Sequence, residues 1–159
     1  MEKKEIKKDY SMGLALFDFL PVLLFGTSMI FFLKSGCSVL AGGGLIFVFL
    51  GGLCKAWWKL RAATGKGRSD ELDAMFRFLM PAGGILLFAA GIRWALTGQW
   101  HGAFTGTRWT WLLLFFAGMT GMGFLKSRQE QGDHMVWCAE ITNAISQLML
   151  LFYALSGQS

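Results

Sequence analysis

The last apolar segment of the chain carries an unusual set of polar residues. Glu140, Asn143 and Gln147 stand between Met135 and Leu155. At about 100° per residue their spacing brings the three within about 60° of one another on a single helix face. A charge in hydrocarbon costs roughly 2.5–3.5 kcal/mol on insertion scales, so such a face turns towards a protein interior, a partner or water. The spacing therefore predicts a polar face inside a helix bundle.

Two charged residues in other apolar segments lie at a matching depth, namely Asp18 and Lys55. We expect them to converge with the polar face on a ligand-binding site made of Asp18, Lys55, Glu140, Asn143 and Gln147. Its two carboxylates would recognise a small cation, a proton or an amphiphilic ligand. A purely structural interpretation also fits: either carboxylate could pair with Lys55, and the two amides could join helices for about 0.6–2 kcal/mol each. The sequence leaves both interpretations open.

Signatures of catalysis and metal binding are weak. His101 and His134 are isolated from each other, and the three cysteines form no CxxC pair. No nucleophile accompanies the carboxylates. We therefore expect no cofactor, no metal and no catalytic residue, and a lipid-modifying enzyme is the least favoured class.

Composition determines the fold class. Hydrophobic residues make up 54% of the chain and charged residues 16%, against about 25% charged in soluble domains. A membrane-spanning helix needs about 20 apolar residues, and its backbone must satisfy its own hydrogen bonds in lipid. The sequence predicts one all-α, polytopic integral membrane domain with five transmembrane helices. The predicted spans are 13–33, 39–58, 78–96, 109–125 and 135–155.

Basic residues predict the orientation. Twelve of the fifteen Lys and Arg residues lie in the arm 1–12, in or near the connection 59–77, or between the fourth and fifth spans. Because positive residues favour the cytoplasmic side, the N-terminus is predicted inside and the C-terminus outside the plasma membrane. The net charge of +5 is therefore an orientation signal, and nucleic acid is not an expected partner.

The connection before the third span has a pattern of its own. Ser69 is a candidate helix cap, and an apolar stripe follows at helical spacing. The stripe consists of Leu72, Met75, Phe76 and Leu79. We predict an amphipathic helix on the cytoplasmic surface from Ser69 to about Met80, with a bend at Pro81, where the chain enters the membrane.

Two functions remain in competition. The first is a small membrane protein that binds or transports a small solute, cation or amphiphile at the polar cluster. The second is a non-catalytic accessory or regulatory subunit, because glycine and alanine recur in several spans and allow close helix packing. The expected partners are the lipid bilayer and either further copies of the chain or a larger membrane complex.

Overall fold

The computed structural model describes residues 11–67, 69–97, 108–127 and 133–157, and α-helix is the regular structure throughout these ranges. The all-α prediction is confirmed. Residues 1–10 of the predicted basic arm lie outside the described part of the chain. The helices are α1 (Met12–Phe17), α2 (Phe19–Lys34), α3 (Val39–Ala63), α4 (Asp70–Leu96), α5 (Arg108–Ser127) and α6 (Asp133–Leu155).

Four helical segments of the described chain are long and apolar enough to cross a membrane. They are Met12–Lys34, which joins α1 and α2, then Val39–Ala63, Asp70–Leu96 and His134–Leu155. The predicted fourth span corresponds to α5, which has 20 residues but is not in this set. Its charged ends and its central glycines and threonine lower its average hydropathy.

The first apolar segment is divided at Asp18. This residue ends α1 and precedes α2 with helical backbone angles (φ −60°, ψ −21°). Pro21 has no amide hydrogen, so the carbonyl of Phe17 loses its usual helical donor. The division therefore lies where the proline loosens the helix, and it places the Asp18 carboxylate at the junction.

The prediction of a separate surface helix before the third span is wrong, because the helix continues through Pro81. Asp70–Leu96 forms a single helix of 27 residues with Pro81 inside it, instead of a surface helix that bends into the third span. Proline is tolerated within apolar helices when neighbouring helices support the backbone, and α4 packs closely along α3 on both sides of this position. Ser69 does occupy the N-cap position, but its side chain makes no capping hydrogen bond.

Close glycine contacts hold α3 and α4 together in antiparallel orientation. A Cβ atom on Gly44 would lie 3.0 Å from the carbonyl oxygen of Gly83, and one on Gly51 would lie 2.9 Å from Met80 Cγ. The two backbones approach so closely because neither Gly44 nor Gly83 carries a side chain, as is typical of helices in lipid.

A second antiparallel pair is formed by α5 and α6. Trp111 packs on Phe152 with ring centroids 5.1 Å apart, and Gly118 lies against the side chain of Ser146. Ala117 and Gly121 are four residues apart on α5, a spacing typical of close helix contacts, but Ala117 is exposed. Helix α2 joins the two pairs by packing on both α3 and α6. In the described parts of the chain, α4 and α5 are not packed extensively against each other.

Candidate functional site

A buried lysine joins the two carboxylates that the sequence had singled out. Lys59 Nζ forms an ion pair with Asp18 Oδ2 and lies 2.9 Å from Glu140 Oε1. Asp18, Lys59 and Glu140 are 3%, 4% and 1% exposed. Each comes from a different segment, namely the α1–α2 junction, α3 and α6. The three groups therefore connect the first, second and last apolar segments at one level of the bundle.

Lys55 has a secondary role in this cluster. Its Nζ lies 3.5 Å from Glu140 Oε1, and its side chain is 23% exposed. The sequence analysis had proposed Lys55 as the partner and had assigned Lys59 to the cytoplasmic connection, so the central cation was missed. One signal pointed to it: Lys55 and Lys59 are four residues apart and share a helix face.

Three buried side-chain oxygens near the cluster have no hydrogen-bond partner. They are Asp18 Oδ1, Glu140 Oε2 and Gln147 Oε1. Gln147 is 8% exposed, and its amide nitrogen makes only a 3.7 Å contact with Met119 Sδ. An unsatisfied buried polar group costs about 1–3 kcal/mol, and such groups in a native fold call for an explanation, such as a ligand or a bound water.

A cavity of about 250 Å³ borders this cluster. Every segment of the bundle contributes to its wall. The polar lining residues are Asp18, Lys55, Lys126, Asn143 and Gln147. The apolar lining residues include Phe25, Val48, Met80, Phe115 and Met119. Both α4 and α5 contribute lining residues, although these two helices are not packed extensively against each other.

The cavity has a charged end and an apolar end. At 1.5 Å per residue, Phe25 lies about 10 Å along its helix from Asp18, and Phe115 lies about 16 Å from Lys126. Helices α3 and α5 run opposite to α2, so residues earlier in these two helices lie further from the level of Asp18. Val48 therefore lies on the same side of Lys55 as Phe25 does of Asp18. The charged lining residues therefore cluster at one end, and aromatic and aliphatic side chains form the other.

Four of the five predicted site residues line this cavity, namely Asp18, Lys55, Asn143 and Gln147. Glu140 lies behind them in the ion-pair cluster, within contact of Lys55 and Lys59. The structure thus brings together the residues that the helical spacing had grouped, while their role in binding remains a prediction. Lys126 also lines the cavity, although its position in the sequence indicated only membrane orientation.

The two hydroxyl residues of the polar stretch have a local role. Thr142 donates to the carbonyl of Cys138 at 2.8 Å, and Ser146 donates to the carbonyl of Thr142 at 2.7 Å. Ser146 is fully buried against Gly118. These hydroxyls are satisfied inside α6, so the residues of the stretch that face the cavity are the two amides.

A second cavity, of about 610 Å³, lies towards the opposite end of α3 and α4. Phe32, Ala41 and Trp94 are among its lining residues. Leu87 lines both cavities. This side chain therefore stands where the two spaces approach each other within the bundle.

The chain matches no protein-family model, no curated protein and no solved structure.

Proposed function

We propose that this protein is a small multi-pass protein of the cytoplasmic membrane that binds or transports a small solute through the cavity beside the Asp18–Lys59–Glu140 cluster. The observation that carries the proposal is the buried, unpartnered amide oxygen of Gln147 in the wall of a cavity that has charged residues at one end only. Ligand sites typically combine an apolar wall with a few polar groups that fix orientation. At about 250 Å³ the cavity is smaller than the roughly 300–1,000 Å³ of typical ligand pockets, so its ligand is small.

Five spans are supported by the direction of the helices. Phe17 packs near Trp137, and Phe32 packs near Tyr153, so the first and last apolar segments run parallel. Parallel first and last segments require an odd number of crossings. Because α5 lies antiparallel along α6, it would cross the membrane beside α6 and complete a set of five.

The charge distribution supports a cytoplasmic N-terminus. In a variant without Cys37, Cys54 and Cys138, a cysteine at position 67 should react with a thiol reagent only after the membrane is made permeable. A cysteine at position 103 should react with the impermeant reagent in intact cells. The opposite labelling pattern would refute the orientation.

Filling the cavity should abolish ligand binding. We expect a screen of small amphiphiles and cations in detergent to yield compounds that stabilise the protein. A ligand at 100 times its Kd contributes about 2.7 kcal/mol, which corresponds to a Tm increase of roughly 5–10 °C for a chain of this size. Met119→Trp places an indole in the cavity, so the increase should disappear.

Leu113→Trp is the matched control, because Leu113 is on the same helix and is 48% exposed. This variant should keep the full Tm increase. A ligand whose effect survives in Met119→Trp binds elsewhere, and that result would contradict the proposed site.

Transport in addition to binding is supported by the position of Leu87 between the two cavities. A solute that moved from one cavity to the other would pass this side chain.

The accessory-subunit alternative is supported by the outer face of α4, where Ile85 and Phe88 are 68% and 72% exposed. That alternative predicts no stabilising ligand and a stable larger assembly in detergent, so the same screen combined with a mass measurement separates the two functions.

A further inference from the structure

We infer that the ligand of the cavity is a single-chain amphiphile with an anionic headgroup, such as a carboxylate or a phosphate. This inference rests on the proposed function and identifies its ligand class. The headgroup would lie between Lys55 and Lys126, and the chain would extend along Phe25, Val48 and Phe115.

The charges at the polar end favour an anion. Lys55 and Lys126 both line the cavity, and their ammonium groups approach each other. Among the described residues, no carboxylate lies within ion-pairing distance of Lys126. Two neighbouring ammonium groups repel each other in a low-dielectric site, and an anion between them would remove this repulsion.

The carboxylates are already engaged by lysine. Asp18 and Glu140 both contact Lys59, and Glu140 also lies 3.5 Å from Lys55. A cation at this place would have to compete with an ammonium group that is 4% exposed. Together with Lys126, the cluster holds three ammonium groups and two carboxylates, which leaves one positive charge in excess. The expectation that these carboxylates recognise a cation is therefore not favoured.

The polar groups that remain can complete the headgroup site. Asn143 lines the cavity one helical turn from Gln147, and its amide nitrogen can donate to an anionic oxygen. The unpartnered oxygen of Asp18 can accept from a headgroup hydroxyl or from water. The unpartnered oxygen of Gln147, about 10 Å further along α6 than Glu140, can accept from water deeper in the cavity. Both residues are at least nine-tenths buried, so the amphiphile would satisfy groups that bulk solvent does not reach.

The shape of the cavity favours one chain. About 250 Å³ is below the roughly 300–1,000 Å³ of pockets for drug-sized ligands, and Phe25 of α2 and Phe115 of α5 line the apolar end. Helices α4 and α5 are not packed extensively against each other, and they line the cavity with Met80 and Met119, so we expect a chain to enter from the bilayer between these two helices.

Three probes with the same chain test the headgroup, namely decyl phosphate, decyltrimethylammonium and decyl maltoside. Binding is measured by calorimetry on the intact protein in a non-ionic detergent. Decyl phosphate should bind at least about tenfold more tightly than the other two, since a hydrogen bond to a charged group contributes about 1.5–3 kcal/mol. Equal or tighter binding of the cationic probe would overturn the inference.

Lysine variants locate the headgroup. Lys126→Gln should weaken decyl phosphate binding about tenfold or more, while Lys126→Arg, which keeps the charge, should retain most of the affinity. Lys66→Gln is the charge-matched control, because Lys66 is exposed and is not part of the cavity wall. Unchanged binding in Lys126→Gln would also refute the inference.

Two further outcomes separate the hypotheses. If all three probes bind equally and Met119→Trp abolishes their binding, the cavity is a ligand site but its preference for anions is wrong. If none of the three probes binds, or if their binding survives in Met119→Trp, the proposed function itself fails. Phosphatidic acid, which has two chains, should bind more weakly than decyl phosphate, and tighter binding would identify a bilayer lipid as the ligand and overturn the single-chain assignment.

Discussion

Replacing Lys59 with methionine should lower the free energy of unfolding by about 3–5 kcal/mol, the usual cost of removing one partner from a buried ion pair. Lys59 is the shared partner of Asp18 and Glu140, and without it both buried carboxylates would lose this partner. A loss of this size corresponds to a Tm decrease of roughly 6–20 °C, which thermal unfolding in detergent micelles can measure. Glu140→Gln should cost less, because Lys59 would still pair with Asp18.

The control for this prediction removes the stranded charges. The triple variant Asp18→Asn/Lys59→Met/Glu140→Gln removes the three buried charges and leaves only Lys55, which is 23% exposed, ionised. Neutral or apolar replacements of buried ion pairs are often tolerated. We expect it to recover most of the stability lost in Lys59→Met. Lys66→Met, which changes an exposed lysine, should leave the Tm almost unchanged. A triple variant no more stable than Lys59→Met would show that the methionine itself, and not the lost pairing, causes the defect.

A branched side chain at Gly44 should separate α3 from α4. A Cβ atom there would lie 3.0 Å from both the carbonyl oxygen of Gly83 and the amide nitrogen of Leu87. These are backbone atoms, so the contact can be relieved only by moving one helix. We expect Gly44→Val to lower the free energy of unfolding by about 3 kcal/mol, at the upper end of the usual cost of overpacking.

Gly84→Val is the matched control for this contact. The substitution is the same and the glycine also lies in the α3–α4 pair, but nothing lies within 4 Å of a Cβ atom at Gly84. Thermal unfolding of both variants in the same detergent should therefore show a large Tm decrease for Gly44→Val and little change for Gly84→Val. Equal effects would mean that helix propensity, and not the close approach of α3 and α4, explains the loss.

The parts of the site that the sequence predicted are those that follow from a single helix. Glu140, Asn143 and Gln147 share a face because a helix turns by about 100° per residue, and the cost of placing a charge in lipid turns that face inward. The buried positions of Glu140 and Gln147 agree with this argument.

The parts of the site that the sequence did not predict depend on how the helices pack against one another. Lys55 and Lys59 lie on the same face one turn apart, and only the axial offset between α3 and α6 decides which of them reaches Glu140 most closely. Lys126 seemed to be an orientation signal because the sequence does not show how α5 rotates about its axis. The continuity of α4 through Pro81 has the same origin, since its close packing on α3 supports the backbone where the local pattern predicted a bend.

The sequence by itself determined that the described chain is all-helical, that four of the five predicted spans are apolar enough to cross a membrane, and which polar residues of α6 share a face. These properties follow from composition and from the fixed repeat of the helix. Only the tertiary structure decided that Lys59 bridges Asp18 and Glu140, that Gly44 meets Gly83, and that Lys126 joins the cavity wall. Such contacts depend on the offset and rotation of one helix against another, and these are determined by the packing of many side chains at once.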